Sequence, residues 1–117
     1  MNPLLKQADG LLSEQGSGLP ERARAACWLA RAALEDIVED FLAHKGHPAP
    51  EARMAHRLSC LAVLYEKDDP ELASQAEYLW WSLSQASHQH AYELAPTPSE
   101  VRHLLNRVAD FAARVSG

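Results

Sequence analysis

The sequence predicts an all-α protein, an up-and-down bundle of four main helices plus a short N-terminal helix. Apolar residues recur at spacings of three and four along most of the chain, the period of one helix face. No segment alternates apolar and polar residues with β-branched enrichment, so no sheet is expected. Pro20, Pro50, Pro70 and Pro98 each stand where a helix can begin, because proline is favoured at the first helical position. At 117 residues the chain is long enough for one core, so residues 1–117 are read as a single domain.

The first helix is expected over residues 3–15, with Leu4, Leu5, Ala8, Leu11 and Leu12 in one stripe and Gly16-Ser17-Gly18 as its stop. The second is expected over 21–45. Ala23, Cys27, Ala30, Leu34, Ile37 and Phe41 form its seam. His44 and Lys45 in its last turn suit the helix dipole before Gly46-His47-Pro48. A third helix, 51–67, carries Met54, Leu58, Leu61 and Tyr65. The fifth, 99–115, carries Val101, Leu104, Leu105, Val108, Phe111 and Val115. It follows Thr97-Pro98-Ser99-Glu100, a capping-box pattern.

The fourth helix, expected over 70–94 after an Asp68-Asp69 cap, has two seams. Leu72, Ala76, Leu79, Leu83, Ala86 and His90 form one, and Tyr78, Trp81, Gln85, His88 and Tyr92 the other. At about 100° per residue they lie on roughly opposite sides. One seam builds the bundle, and the other needs cover from the first helix or from a second copy. Tryptophan and tyrosine are enriched at interfaces, so a homodimer through Tyr78, Trp81, Gln85, His88 and Tyr92 is expected. A two-fold axis there would bring His88 towards its mate.

Composition narrows function. A net charge of −5 and a pI near 5.6 argue against sequence-specific duplex DNA as a partner. No stretch approaches the about 20 apolar residues of a membrane span, and no signal-peptide core stands at the start, so a cytoplasmic protein is expected. Cys27 and Cys60 sit in helical patterns without a CxxC, which reads as two buried thiols in a reducing compartment.

The chemistry-bearing residues gather near the end of the fourth helix. His88 and His90 are the candidate catalytic groups. They are two apart, so they face different sides of a helix and do not grip one metal. Glu100 and His103 make one E-x-x-H, whereas a di-metal bundle needs two such motifs and two further carboxylates. No metal or cofactor is therefore expected. Glu35, Asp36, Glu39 and Asp40 read as a solvated acidic face. Arg102, His103, Arg107 and Arg114, with Arg53, His56 and Arg57, read as balancing charge or as phosphate contacts to RNA.

The segments LSQASHQHAYELAPTPSEV and RAACWLARAALEDIVEDFL resemble the HEPN superfamily (higher eukaryotes and prokaryotes nucleotide-binding). The resemblance is one of layout over residues 20–115. It implies a dimerising helical bundle, with many members acting as RNases in toxin–antitoxin, phage-defence or CRISPR systems. His88 or His90 matches the family histidine by position, and Tyr92 resembles an aromatic that often follows it. The arginine of the RNase motif, which stands four to six intervening residues before the histidine, is absent: those positions are Gln85, Ser84 and Leu83 before His90, and Leu83, Ser82 and Trp81 before His88. The resemblance therefore implies a non-catalytic member that binds RNA, a nucleotide or a partner protein, with His88, His90, Tyr92, Glu93 and Arg102 as contacts. An enzyme would need an arginine from another helix or subunit. A small accessory subunit with no ligand site is the plainer alternative.

Overall fold

In the computed structural model, residues 2–14, 18–88 and 96–116 are described. They form five helices in order: α1 (Pro3–Ser13), α2 (Leu19–His44), α3 (Met54–Leu64), α4 (Pro70–Ser87) and α5 (Pro98–Ser116). The described residues contain no strand, so the all-α expectation is met.

Local chemistry sets the helix ends. Asn2 caps α1 by accepting from the Leu4 amide at 2.8 Å. Gly18, at φ 82°, turns the chain into α2, which starts at Leu19 with Pro20 in its first turn. α2 ends in a Schellman motif: Gly46 adopts φ 88°, its amide reaches the Ala43 carbonyl at 3.0 Å, and the His47 amide reaches that of Leu42 at 2.8 Å. Thr97 Oγ1 accepts from the Glu100 amide at 3.1 Å, the first bond of the expected capping box.

The boundaries of α3 and α4 differ from expectation. α3 begins at Met54 and ends at Leu64, not at residues 51 and 67. Pro50 does not open it; Ala49 and Pro50 instead turn their carbonyls to the Arg57 guanidinium at 3.0–3.3 Å. Asp69 stands at the start of α4 but makes no cap bond. Both its carboxylate oxygens accept from Arg114 Nη2, at 2.6 and 2.7 Å, because a charge-assisted bond to a guanidinium outcompetes one to a neutral amide. α4 leaves helical geometry at His88, with φ −109° and ψ 28°, where 70–94 was expected. His90, Tyr92 and Glu93 lie outside the described residues.

α2 is the centre of the molecule and touches all four other helices. Its buried face is accordingly wide, and small: Ala23, Ala26, Cys27, Ala30, Ala33, Leu34 and Val38 are fully buried. Alanines let neighbouring helix axes approach closely, and each contact then depends on matched surfaces rather than on large side chains. α1 folds back on α2, since Arg22 in the first turn of α2 donates to the carbonyls of Leu11 and Glu14 at the end of α1. α4 and α5 are antiparallel, with Arg114 late in α5 held by Asp69 and Gln75 early in α4.

One core joins all five helices. The expected α4 seam is buried at Leu72, Ala76, Leu79, Leu83 and Ala86, and α5 contributes Val101, Leu105, Val108 and Phe111. The second α4 seam is uncovered. α1 packs on α2 and α5 and makes no contact with α4 among the described residues. Trp81 is 60 % exposed and Tyr78 53 %, and Gln85 and His88 are exposed beside them.

Candidate functional site

The last turns of α4 meet the first half of α2 along a flank that neither seam includes. On α4, Trp80, Ser84 and His88 are four apart and share one line. On α2, Trp28 and Arg31 are three apart and face them. Arg31 Nε donates to Ser84 Oγ at 3.1 Å. Its guanidinium lies 4.2 Å from the Trp80 ring centre and 5.3 Å from that of Trp28. The His88 ring meets Trp28 edge-on, with centroids 4.7 Å apart and planes at 85°.

This corner is electrostatically unbalanced. Arg31 is half-buried and forms no ion pair with a carboxylate among the described residues. Its two ring contacts stabilise the cation through the negative faces of the indoles, each worth about 0.5–1 kcal/mol at a surface. They also fix the planar fork with its Nη nitrogens unbonded among the described residues. A guanidinium so held can take two oxygens of a phosphate or carboxylate. Trp28, 43 % exposed, adds aromatic surface open to solvent beside it.

Three of the other arginines, Arg57, Arg102 and Arg114, are held by carboxylates. Arg57 is buried, holds the 49–50 carbonyls and lies 3.6 Å from Glu39. Arg102 pairs with Asp9 and Arg114 with Asp69. Arg107 sits 5.8 Å from the Tyr78 ring centre. Arg53 and His56 are exposed near the start of α3, so the basic residues do not merge into one patch. Arg102, expected as an RNA contact, bonds α5 to α1.

The acidic group on α2 is not uniformly solvated. Glu39 is half-buried against Arg57. Partial desolvation, then the charges of Asp40 and Glu39, raise the Asp36 carboxyl above its ordinary value, with Arg57 opposing. Burial pushes the Cys27 thiol up to about 11, which makes it inert. Cys60, expected buried, is half-exposed, with Sγ 3.7 Å from His56 Nε2. The described residues contain no group of three or more His, Cys, Asp or Glu placed to hold a metal.

Two grooves mark the surface. One, about 460 Å³, runs between α3 and α4, with Ala55, Leu58, Ser59 and Ala62 on one bank and Glu77, Trp80, Trp81 and Ser84 on the other. A wider one, about 800 Å³, opens between the ends of α2 and α5, floored by Leu5, Ile37 and Phe41.

Of the expected site residues, the structure brings His88 into the Arg31 corner and leaves Tyr78, Trp81 and Gln85 on the open face of α4. Trp28, Arg31 and Ser84 were not expected as a unit. A Trp-x-x-Arg pair on the flank of α2 was the available sign, but its meeting with Ser84 is a tertiary fact. Among the described residues, fold and site together define an all-α bundle with a guanidinium that stacks on tryptophans without a carboxylate partner, and an aromatic helix face without cover. No protein-family model, curated protein or solved structure matches the chain. No helix of the described residues is long and apolar enough to cross a membrane.

Proposed function

We propose that this chain is a HEPN-like helical bundle that binds RNA at the Arg31–His88 corner without cleaving it, and pairs with a second copy through the outer face of α4. One observation carries the reading: Arg31 is held by two indoles and a serine hydroxyl, with no carboxylate within ion-pair distance among the described residues. A stacked guanidinium beside an open tryptophan suits a phosphate with its adjacent unpaired base. The net charge of −5 makes non-specific attraction weak, so binding rests on this corner and has a shallow salt dependence. The proposed setting is cytoplasmic, as the binding half of a toxin–antitoxin or phage-defence pair.

Tryptophan fluorescence during titration with short single-stranded RNA at moderate salt tests it. Quenching should saturate in the wild type and weaken about tenfold or more in Arg31→Ala, within the range of stacking and charge-assisted contacts. No binding by the wild type sinks the RNA reading and leaves an accessory subunit without a ligand site.

A divergent RNase is the second reading. Arg31 brings from α2 a guanidinium to the same Trp28 ring that His88 meets, the component that α4 itself lacks for stabilising developing phosphate charge. RNA degradation by the purified protein that disappears in His88→Ala or His90→Ala would establish it over the non-catalytic reading.

A further inference from the structure

The α3–α4 groove has a shape that fits itself. One bank is a strip of small exposed side chains, Ala55, Ser59 and Ala62, spaced four and three along α3. The other bears Trp81, the most exposed of the tryptophans at 60 %. A knob and a hole therefore lie side by side on one face. Val63, 73 % exposed, extends the apolar strip.

The charges on this face are arranged in the same sense. Five residues separate the end of α3 from the start of α4, so the start of α3 lies beside the end of α4. Arg53 and His56 stand at that end, and Glu77, with Glu66 beyond it, stands at the other. Arg53 and Glu77 have no ion pair among the described residues. Along the groove Arg53 and His56 thus stand on one side of the aromatic knob, and Glu77, which lines the groove, on the other.

We infer that the occupant of this face is a second copy of the chain, turned by a two-fold axis that passes close to Trp81. Each Trp81 seats on the partner's Ala55–Ser59–Ala62 strip, and each Glu77 faces the partner's Arg53. A two-fold operator satisfies knob, hole and both charges at once, because residue i meets j while j meets i. A face two helices wide and about 27 Å long, from the 18 residues of α4, lies towards the lower size limit for a stable interface. Charge pairing therefore decides whether it forms. The inference rests on the dimer reading above, and adds the counter-surface on α3. It also sets His88 of the two copies on opposite sides of the axis rather than face to face.

Charge reversal read by sedimentation equilibrium of the full chain tests it. Glu77→Lys and Arg53→Glu each create two repulsive contacts in their own homodimer and should weaken it about tenfold or more at low salt, by like-charge juxtaposition. Mixed in equal amounts, the two variants restore opposite charges at both contacts, and a heterodimer of wild-type strength should appear. Ser59→Trp, at an exposed position that leaves the fold intact by circular dichroism, fills the strip and should abolish the dimer. A wild type that dimerises while these variants behave like it, or while the mixture shows no preference for the heterodimer, overturns the α3 counter-surface and leaves the dimer reading standing. A wild type that stays monomeric at all accessible concentrations overturns both.

Discussion

Arg31 of α2 and Ser84 of α4 are joined by a 3.1 Å hydrogen bond on the flank of the bundle, although 53 residues separate them in the chain. The bond does more than link helices. It holds the guanidinium between Trp28 and Trp80 and so decides where positive charge is presented. Structure and proposed binding thus depend on one side chain.

Arg31→Lys separates those two roles. A lysine keeps the charge but loses the planar fork and most of the stacking. The variant should keep its fold within about 1 kcal/mol of wild type while losing most of its RNA affinity. Urea denaturation alongside the fluorescence titration checks both, and undiminished affinity would show that charge alone is read.

Arg57 has the opposite balance, structure without exposure. Removing it in Arg57→Ala leaves the carbonyls of Ala49 and Pro50 and the Glu39 carboxylate without their donor. Half-buried acceptors without partners cost about 1–3 kcal/mol each set, and the urea midpoint should fall accordingly. An unchanged midpoint would mean that water replaces the arginine fully.

The alanine face of α2 makes a prediction of its own. Ala30 is fully buried, so Ala30→Leu adds volume where axes are already close. Overpacking of this kind destabilises by about 1–3 kcal/mol. A thermal melt that rises instead would reveal an internal void at that position.

Asp36 predicts a pH dependence with a definite sign. Its folded carboxyl titrates above the unfolded one, so ionising it opposes folding. That penalty is absent below the unfolded value and develops as pH rises through the raised folded value. Asp36→Asn should therefore stabilise the protein slightly at neutral pH, within about 0.5 kcal/mol for so exposed a group, and the gain should vanish in acid. Melting curves across pH measure it, and a gain that persists in acid would refute the assignment.

The core seams were legible in the sequence because burial follows the helical period directly. Leu72, Ala76, Leu79 and Leu83 are buried as their spacing required, and so are Val101, Leu105, Val108 and Phe111. The ends were harder, because groups beside them are drawn to arginines. Asp69 turns to Arg114, and the Pro50 carbonyl to Arg57, so α3 starts later than its proline signals. The exposed aromatic seam was readable as a pattern, but only the docking of α1 on α2 and α5 shows what leaves it bare. The Arg31 corner was hidden for a related reason. Its residues come from two helices, and no spacing within either one announces the other.

The central place of α2 bears on how the molecule comes apart. Every other helix packs against it, so each of them loses a packing surface once α2 frays. Loss of structure should then be all-or-none from the α2 side, and α2 amides should exchange with solvent only through global unfolding. α3 is the exception at the margin: it reaches α2 chiefly near the last turns, through Arg57 and through Tyr65 against Phe41, and otherwise leans on α4. If any element detaches without the rest, it is α3, and Trp80 would then lose its cover.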